Sequence, residues 1–276
     1  MGIGRPAAIL ASDILAELCV RAKTQPSVFN LGYSTEQADC AAPGKLPIKT
    51  MPPETEIKLH IKDLKAFQRT LKRLGAVHAF PKSPRVHEAN LLFDTPQGGL
   101  AKHGQLLRIR TETAAPPTKK RSPDAPQRHL LTFKSPPESL AIGATAADFQ
   151  PEKYFAPHRR HKVREETELV ITDPAALQKI FEGLGLQGWF RYEKYRTTYK
   201  LPAGRKWARG LLIEIDETPI GTYLELEGPP DAIDRSAREL GYSPADFILK
   251  NYLVLYLDEC KKRGQQPTHM LFPPPK

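Results

Sequence analysis

The chain has 276 residues and a formal net charge of +10, from 41 basic and 31 acidic residues. That length buries one sizeable core, and the basic balance favours anionic partners such as nucleotides, polyphosphates, nucleic acid or a membrane surface without choosing among them. The three cysteines, Cys19, Cys40 and Cys260, are scattered and form no CxxC, so a disulfide framework or zinc site is not expected and a cytoplasmic setting is; no apolar run approaches the ~18 residues of a membrane-spanning helix.

Residues 1–50 read differently from the rest. Ile9 to Val20 fits one short helix, and Gln25, Pro26, Gly32, Pro43, Gly44 and Pro47 then read as loop. This stretch is either a flexible extension or lies upstream of a natural start at Met51. A strand is expected over Glu54–His60. Asp63 caps a helix to about Leu74, with Leu64, Phe67, Leu71 and Leu74 at helical spacing and Gly75 ending it. Strands follow at His87–Asp94, Gln105–Thr111 and His129–Lys134. Two inserts, near 114–127 and 135–160, are rich in Pro with basic residues or Ala and read as loops or lids.

The order then repeats. Lys162–Ile171 is a strand, and Asp173–Pro174 opens a helix to about Leu184. Arg191–Lys200, Gly210–Asp216 and Thr222–Glu227 are strands. Even the wording recurs, Glu54-Thr55-Glu56-Ile57 against Glu166-Thr167-Glu168-Leu169. Each half is expected to form a four-stranded antiparallel unit, and the two to close an eight-stranded antiparallel β-barrel, an α+β fold with helices outside and room within for a ligand. Two further helices are expected over Asp231–Leu240 and Ala245–Asp258, followed by a disordered tail over 261–276. The domain thus spans 51–260.

Inside these strands charged residues recur two apart. Strand side chains alternate between faces, so each set shares one face. Glu54, Glu56 and Lys58 form one set; Arg108 and Arg110, then Arg164, Glu166 and Glu168, then Lys194 and Arg196, then Glu225 and Glu227 form others. Leu107, Ile109, Leu131, Phe133 and Val163 take the opposite, outer face. Paired carboxylates suit a hard cation, and arginine and lysine suit phosphate oxygens. A solvated strand face is the plain alternative for any single pair; two carboxylate pairs on matching strands with basic partners weigh against it. A nucleic-acid-binding sheet would carry aromatic stacking residues, and the carboxylates disfavour it. No GxxxxGK, GxGxxG, GxSxG or HExxH motif occurs. Trp189 and Trp207 read as packing residues.

These residues resemble the CYTH superfamily, the triphosphate tunnel metalloenzymes, over about Glu54 to Asp258. The resemblance is carried by Glu54-x-Glu56-x-Lys58, Phe93-Asp94-Thr95, Leu107-Arg108-Ile109-Arg110, Leu131-Thr132-Phe133-Lys134, Arg164 to Glu168, Glu193 to Arg196, and Tyr223 to Glu227. It implies phosphate contacts from Lys58, Arg108, Arg110, Lys134, Arg164, Lys194 and Arg196. It implies Mg2+ or Mn2+ bound among Glu54, Glu56, Glu225 and Glu227, with Asp216, Glu166 and Glu168 in support. Glu56 and Glu166, beside Lys58, are the candidates to orient or deprotonate water. The substrate it implies carries a triphosphate: ATP, inorganic triphosphate or thiamine triphosphate. The Gly221 to Pro229 stretch resembles the class IV adenylate cyclase branch, which forms cyclic AMP and pyrophosphate; a triphosphatase and a non-catalytic polyphosphate-binding module are the alternatives. A homodimer is left open.

Overall fold

The alternation of charged and apolar residues has a direct structural outcome: the apolar parity faces helices and the charged parity faces inward. The computed structural model describes residues 53–82, 84–115, 126–136 and 160–274. The readings for residues 1–50 and for most of both inserts lie outside these.

In chain order the elements are β1 (Glu54–His60), α1 (Leu64–Arg73), β2 (Val77–His78), β3 (Arg85–Asp94), α2 (Gly99–Lys102), β4 (Leu106–Ala114), β5 (Gln127–Ser135), β6 (Lys162–Ile171), α3 (Pro174–Gly183), β7 (Gln187–Lys200), β8 (Leu212–Thr218), β9 (Gly221–Glu227), α4 (Pro230–Glu239) and α5 (Tyr252–Arg263). The repeat extends to helix caps. Asp63 accepts a hydrogen bond from the Ala66 amide at 3.0 Å, and Asp173 accepts one from the Ala176 amide at 2.9 Å. Each satisfies one of the amides that a helix start leaves without a partner.

The strands run β7-β3-β4-β5-β6-β1-β9-β8, and β8 pairs back to β7, closing an eight-stranded antiparallel barrel; β2 adds a short ninth strand on β7. The two halves do not form separate four-stranded units as expected. β1 lies between β6 and β9, both from the second half. Likewise β6 lies between β5 and β1, both from the first. Each half thus donates its first strand to the other, because the helix that follows (α1 or α3) carries the chain across the outer wall before the next barrel strand begins.

The outer wall of one side is built from Ile57, Leu59, Ile213, Ile215, Leu224 and Leu226, packed with Phe67 and Leu71 of α1 and with Ala232, Ile233 and Ala237 of α4. On the other side Phe93 and Ile109, with Leu107 and Leu131 beside them, receive Phe181 of α3. Burying a side chain of this size contributes about 1.5–3 kcal/mol, so this apolar shell stabilises the barrel while the charged residues line its interior.

The C-terminus departs from expectation twice. The last helix starts at Tyr252 and not at 245, with the Asn251 side chain accepting from the Val254 amide at 2.9 Å. Phe247 and Leu249 instead sit on an extended segment packed against the α1–α4 core, where the Ile248 backbone exchanges hydrogen bonds with that of Lys58 at 2.8 and 3.0 Å. The tail to 274 is ordered. Pairing between β7 and β8 covers only Tyr195 to Tyr199 of β7, which leaves the earlier part of that edge open. Met270 takes it: its amide donates to the Arg191 carbonyl at 3.0 Å, and the Glu193 amide donates to the Met270 carbonyl at 2.9 Å. An edge strand without a partner exposes a row of polar backbone groups, and the tail supplies one. Met270 is buried in a cluster with Leu92, Phe190, Tyr192, Tyr223 and Tyr252.

Candidate active site within the barrel

Strand parity brings the charged residues together. Glu56 of β1 stands opposite Glu227 of β9, Lys58 opposite Glu225, and Glu54 opposite Arg164 of β6. Lys58 is almost wholly buried and lies 3.1 Å from both Glu56 and Glu225. Burial works against its charge, but Glu225 and Glu56 outweigh burial and raise the ammonium's pKa above the ordinary lysine value. Burial likewise works against the Glu56 carboxylate; Lys162 and Lys58 override it and hold the group well below the usual carboxylate range. Lys162 is in ion-pair contact with Glu56. Burial brings Lys162 itself down to about 8, against the pull of Glu56 and with Lys58, Arg164 and Lys134 adding to the fall.

On the β7–β8 wall the arrangement is tighter. Asp216 is fully buried and holds Lys194 at 2.8 Å, Arg196 through two contacts of 2.7 and 2.6 Å, and the Tyr252 hydroxyl at 2.6 Å. Arg196 also contacts Glu214 and Glu225. The Tyr252 ring lies 5.4 Å from the Lys58 ammonium and 5.2 Å from that of Lys194. The N-terminus of α5 is thereby tied into the charged interior, its side chain continuing the apolar cluster that holds Met270. Gly228, with φ +144°, follows Glu227; a Cβ there would lie 2.6 Å from the Gly210 carbonyl oxygen, so the chain leaving β9 passes directly against the turn before β8.

Across the barrel Lys134 of β5 lies 2.5 Å from Glu54 and 3.1 Å from Glu166. Glu168 is exposed and accepts from Thr132 at 3.3 Å. Arg164 donates to the Gly104 carbonyl at 3.1 Å. Arg110 reaches Asn90 at 3.2 Å, Glu88 at 3.4 Å and Glu112 at 3.5 Å. The sequence reading did not name Glu88, Glu112, Lys162, Glu214, Tyr192 or Tyr252 as site residues. Glu112, Lys162, Tyr192 and Glu214 lie two residues from Arg110, Arg164, Lys194 and Asp216 and share their strand parity, a signal present in the sequence. Glu88 and Tyr252 have no such neighbour.

Arg108 and Glu227 are among the groups that stand outside this mutual neutralisation. Arg108 is buried and donates at 3.1 Å to the hydroxyls of Tyr192 and Thr132; its Nε has no hydrogen-bond partner, and among the described residues no carboxylate lies within ion-pair distance of it. Glu227 is its opposite. Burial, with Glu214 and Glu54 adding, pushes its carboxyl up to about 8, and among the described residues no cation pairs with it. Glu214 is pushed up to about 7, by burial against the pull of Arg196, with Asp216 and Glu225 adding. Burial and the neighbouring Glu56 and Glu166 also raise Glu54, against Lys134.

The donor chemistry fits a hard divalent cation. Glu227 and Glu214 are carboxyls crowded and buried enough to be pushed up to about 8 and about 7, Glu54 is raised in the same direction, and an ion with oxygen preference would relieve that crowding. Among the described residues no three acidic or histidine side chains already meet at one point as an ion cage. Glu56 and Glu225 share Lys58, and the oxygens of Asp216 are taken by Lys194, Arg196 and Tyr252.

A closed antiparallel barrel whose interior is paired acid and base is the CYTH architecture, and the CYTH domain matches residues 52–252 of this chain. The chain belongs to the CYTH family. Among solved structures it is similar to a candidate adenylate cyclase from Vibrio parahaemolyticus, at 18% identity and TM-score 0.51 over 74% of this chain and 97% of that one. It is equally similar to the PH1819 protein of Pyrococcus horikoshii, at 18% identity and TM-score 0.51 over 75% and 98%. A Hippeastrum protein named as a candidate adenylyl cyclase with a dominant triphosphatase activity aligns at 20% identity and TM-score 0.44, over 78% and 97%. No curated protein sequence matches the chain. Among the described residues no helix is long and apolar enough to cross a membrane.

Proposed function

We propose that this protein is a divalent-metal-dependent enzyme that binds a triphosphate group inside the barrel and cleaves a phosphoanhydride linkage, with hydrolysis of triphosphate the reaction its geometry supports best. The observation that carries this is an unmatched base and an unmatched acid within one bore: the buried Arg108 guanidinium, with no ion-pair partner among the described residues, and the Glu227 carboxyl, which keeps its proton until a cation replaces it. A buried ion without a counter-ion costs several kcal/mol unless a ligand supplies one. A polyanion satisfies the first and a magnesium or manganese ion the second.

Arg108, Arg110, Lys134 and Arg164 on β4, β5 and β6, with Lys58, Lys194 and Arg196 opposite, are the residues to take phosphate oxygens. Glu54, Glu214 and Glu227 would hold the ion, which when bound offsets the charge developing on the phosphate oxygens. To Glu56 and Glu166, each in contact with a lysine, falls the role of orienting water.

The second reading, an adenylate cyclase reaction, rests on the resemblance of the Gly221–Pro229 stretch and on the name carried by the Vibrio protein. Hydrolysis ranks first on the lining itself. Tyr192 and Tyr252 turn their hydroxyls to Arg108 and Asp216, while their rings pack with Phe190 and Tyr223. Their rings are thus committed to packing and do not offer a free platform for adenine. The deciding experiment offers the full chain inorganic triphosphate, ATP and thiamine triphosphate with Mg2+ and with Mn2+. Orthophosphate from triphosphate supports hydrolysis; cyclic AMP with pyrophosphate replaces it with the cyclase; binding without turnover replaces both with a binding module.

A further inference from the structure

Glu88 belongs to none of the motifs that mark the site, yet it is almost completely buried on the inward face of β3, opposite Lys194 of β7 and Glu112 of β4. Its oxygens lie 3.4 Å from Arg110, 3.4 Å from Lys194 and 3.6 Å from Arg196. Those distances exceed the ~2.7–2.9 Å of a charge-assisted hydrogen bond; Oε1 accepts one long bond from Arg110 at 3.4 Å, and among the described residues the buried Oε2 has no hydrogen-bond partner. Asp216 contacts two of the same cations from the other side of β7 at 2.6–2.8 Å. Lys194 and Arg196 are thus anchored firmly on one side and loosely on the other. Without an anion at Glu88, three cations would face one another in a space with little water, at a cost that low polarisability magnifies.

We propose that Glu88 is a positioning residue, an internal stand-in for a phosphate oxygen that keeps Arg110, Lys194 and Arg196 gathered in the empty barrel and yields them to the substrate. This rests on the reading of the bore as a triphosphate site. An anion that only holds the fold would gain more from short hydrogen bonds than from these long ion-pair contacts. A placeholder needs the long ones, since it must attract the cations enough to order them and little enough to be outcompeted. Its negative charge also opposes the incoming phosphate, so Glu88 weakens substrate binding while improving the arrangement of the bound state.

The test is Glu88→Gln in the full chain, with two readouts. Calorimetry with inorganic triphosphate in a chelator measures the cation–phosphate contacts without turnover; steady-state kinetics with Mg2+ or Mn2+ measure kcat. The expected result is binding tightened by about tenfold, with a steeper salt dependence, and kcat lowered by about tenfold or more. A side chain that serves only the fold would not tighten binding. Glu88→Asp keeps the charge but draws it back; it should bind within about twofold of the unaltered chain and lose kcat severalfold, and it stands in where Glu88→Gln does not fold. Binding unchanged or weakened in Glu88→Gln, or kcat unchanged in Glu88→Asp, overturns the proposal. An unaltered chain that neither binds nor cleaves triphosphate sinks the functional reading and this inference with it; an active unaltered chain with unresponsive Glu88 variants sinks this inference alone.

Discussion

The β7–β8 wall and the region from Arg108 to Glu227 are lined by the same kinds of residue and are organised in opposite ways. The Asp216 carboxylate is fully matched within the protein, by Lys194, Arg196 and Tyr252 at 2.6–2.8 Å. Arg108 keeps an unpartnered Nε, and Glu227 keeps a carboxyl pushed up to about 8. The lesson is that charge inside a barrel does not by itself mark a ligand-facing group. A saturated group such as Asp216 holds the walls in register, while a cation can turn to a ligand where it is unmatched, as Arg108 is, or held loosely, as Lys194 and Arg196 are on the Glu88 side.

The comparison breaks most severely at Asp216. Asp216→Asn leaves Lys194 and Arg196 partly unmatched and should cost about 3–5 kcal/mol of stability, read as a large fall in Tm before any assay is run. Glu227→Gln should do the reverse: kcat falls by about 10²–10³, while the metal-free protein loses no thermal stability. An unaltered rate in that variant removes Glu227 from the ion site. Arg108→Gln should weaken triphosphate binding by about 10–100-fold through loss of charged hydrogen bonds, with a smaller change in kcat; equal affinity would place the phosphate elsewhere.

A pH series sharpens the same contrast. Glu227 has its pKa raised in the fold from the ordinary 4.5 to about 8. Between these values the folded chain binds the extra proton, so the stabilising contribution is full below about 4.5 and is lost as pH climbs through about 8. Denaturant titrations of the metal-free protein should show stability falling over that window, with Mg2+ or Mn2+ opposing the fall and Glu227→Gln flattening it. The smallest effect is expected at Asn251→Ala, which removes the α5 cap at a cost of about 1 kcal/mol and loosens Tyr252 beside it; a matching loss in Tm, with kcat changed severalfold at most, is the expected pattern.

Much of this was legible from spacing. β1 and β6 have the bounds that their alternation marked, and both Asp caps sit where the following helical period required them. The helix expected from Ala245 failed for an identifiable reason: Leu249, Leu253 and Leu257 are four apart, yet Leu249 belongs to an extended run whose neighbour Ile248 pairs with Lys58. Spacing cannot distinguish a helix from an extended segment that hands over to one at Asn251. Spacing is equally silent on Met270, because a proline-rich end looks unstructured until a strand edge is available to receive it.

What the sequence by itself determined is parity: which residues of each strand face together, and hence that acids and bases share a wall opposite an apolar one. It determined this because side-chain alternation is a local property of an extended backbone. Which acid meets which base was decided only by the closed barrel. Interleaving β1 and β6 between strands of the opposite half sets partners more than a hundred residues apart, and that register leaves Arg108, among the described residues, without an acid and Glu227 without a cation.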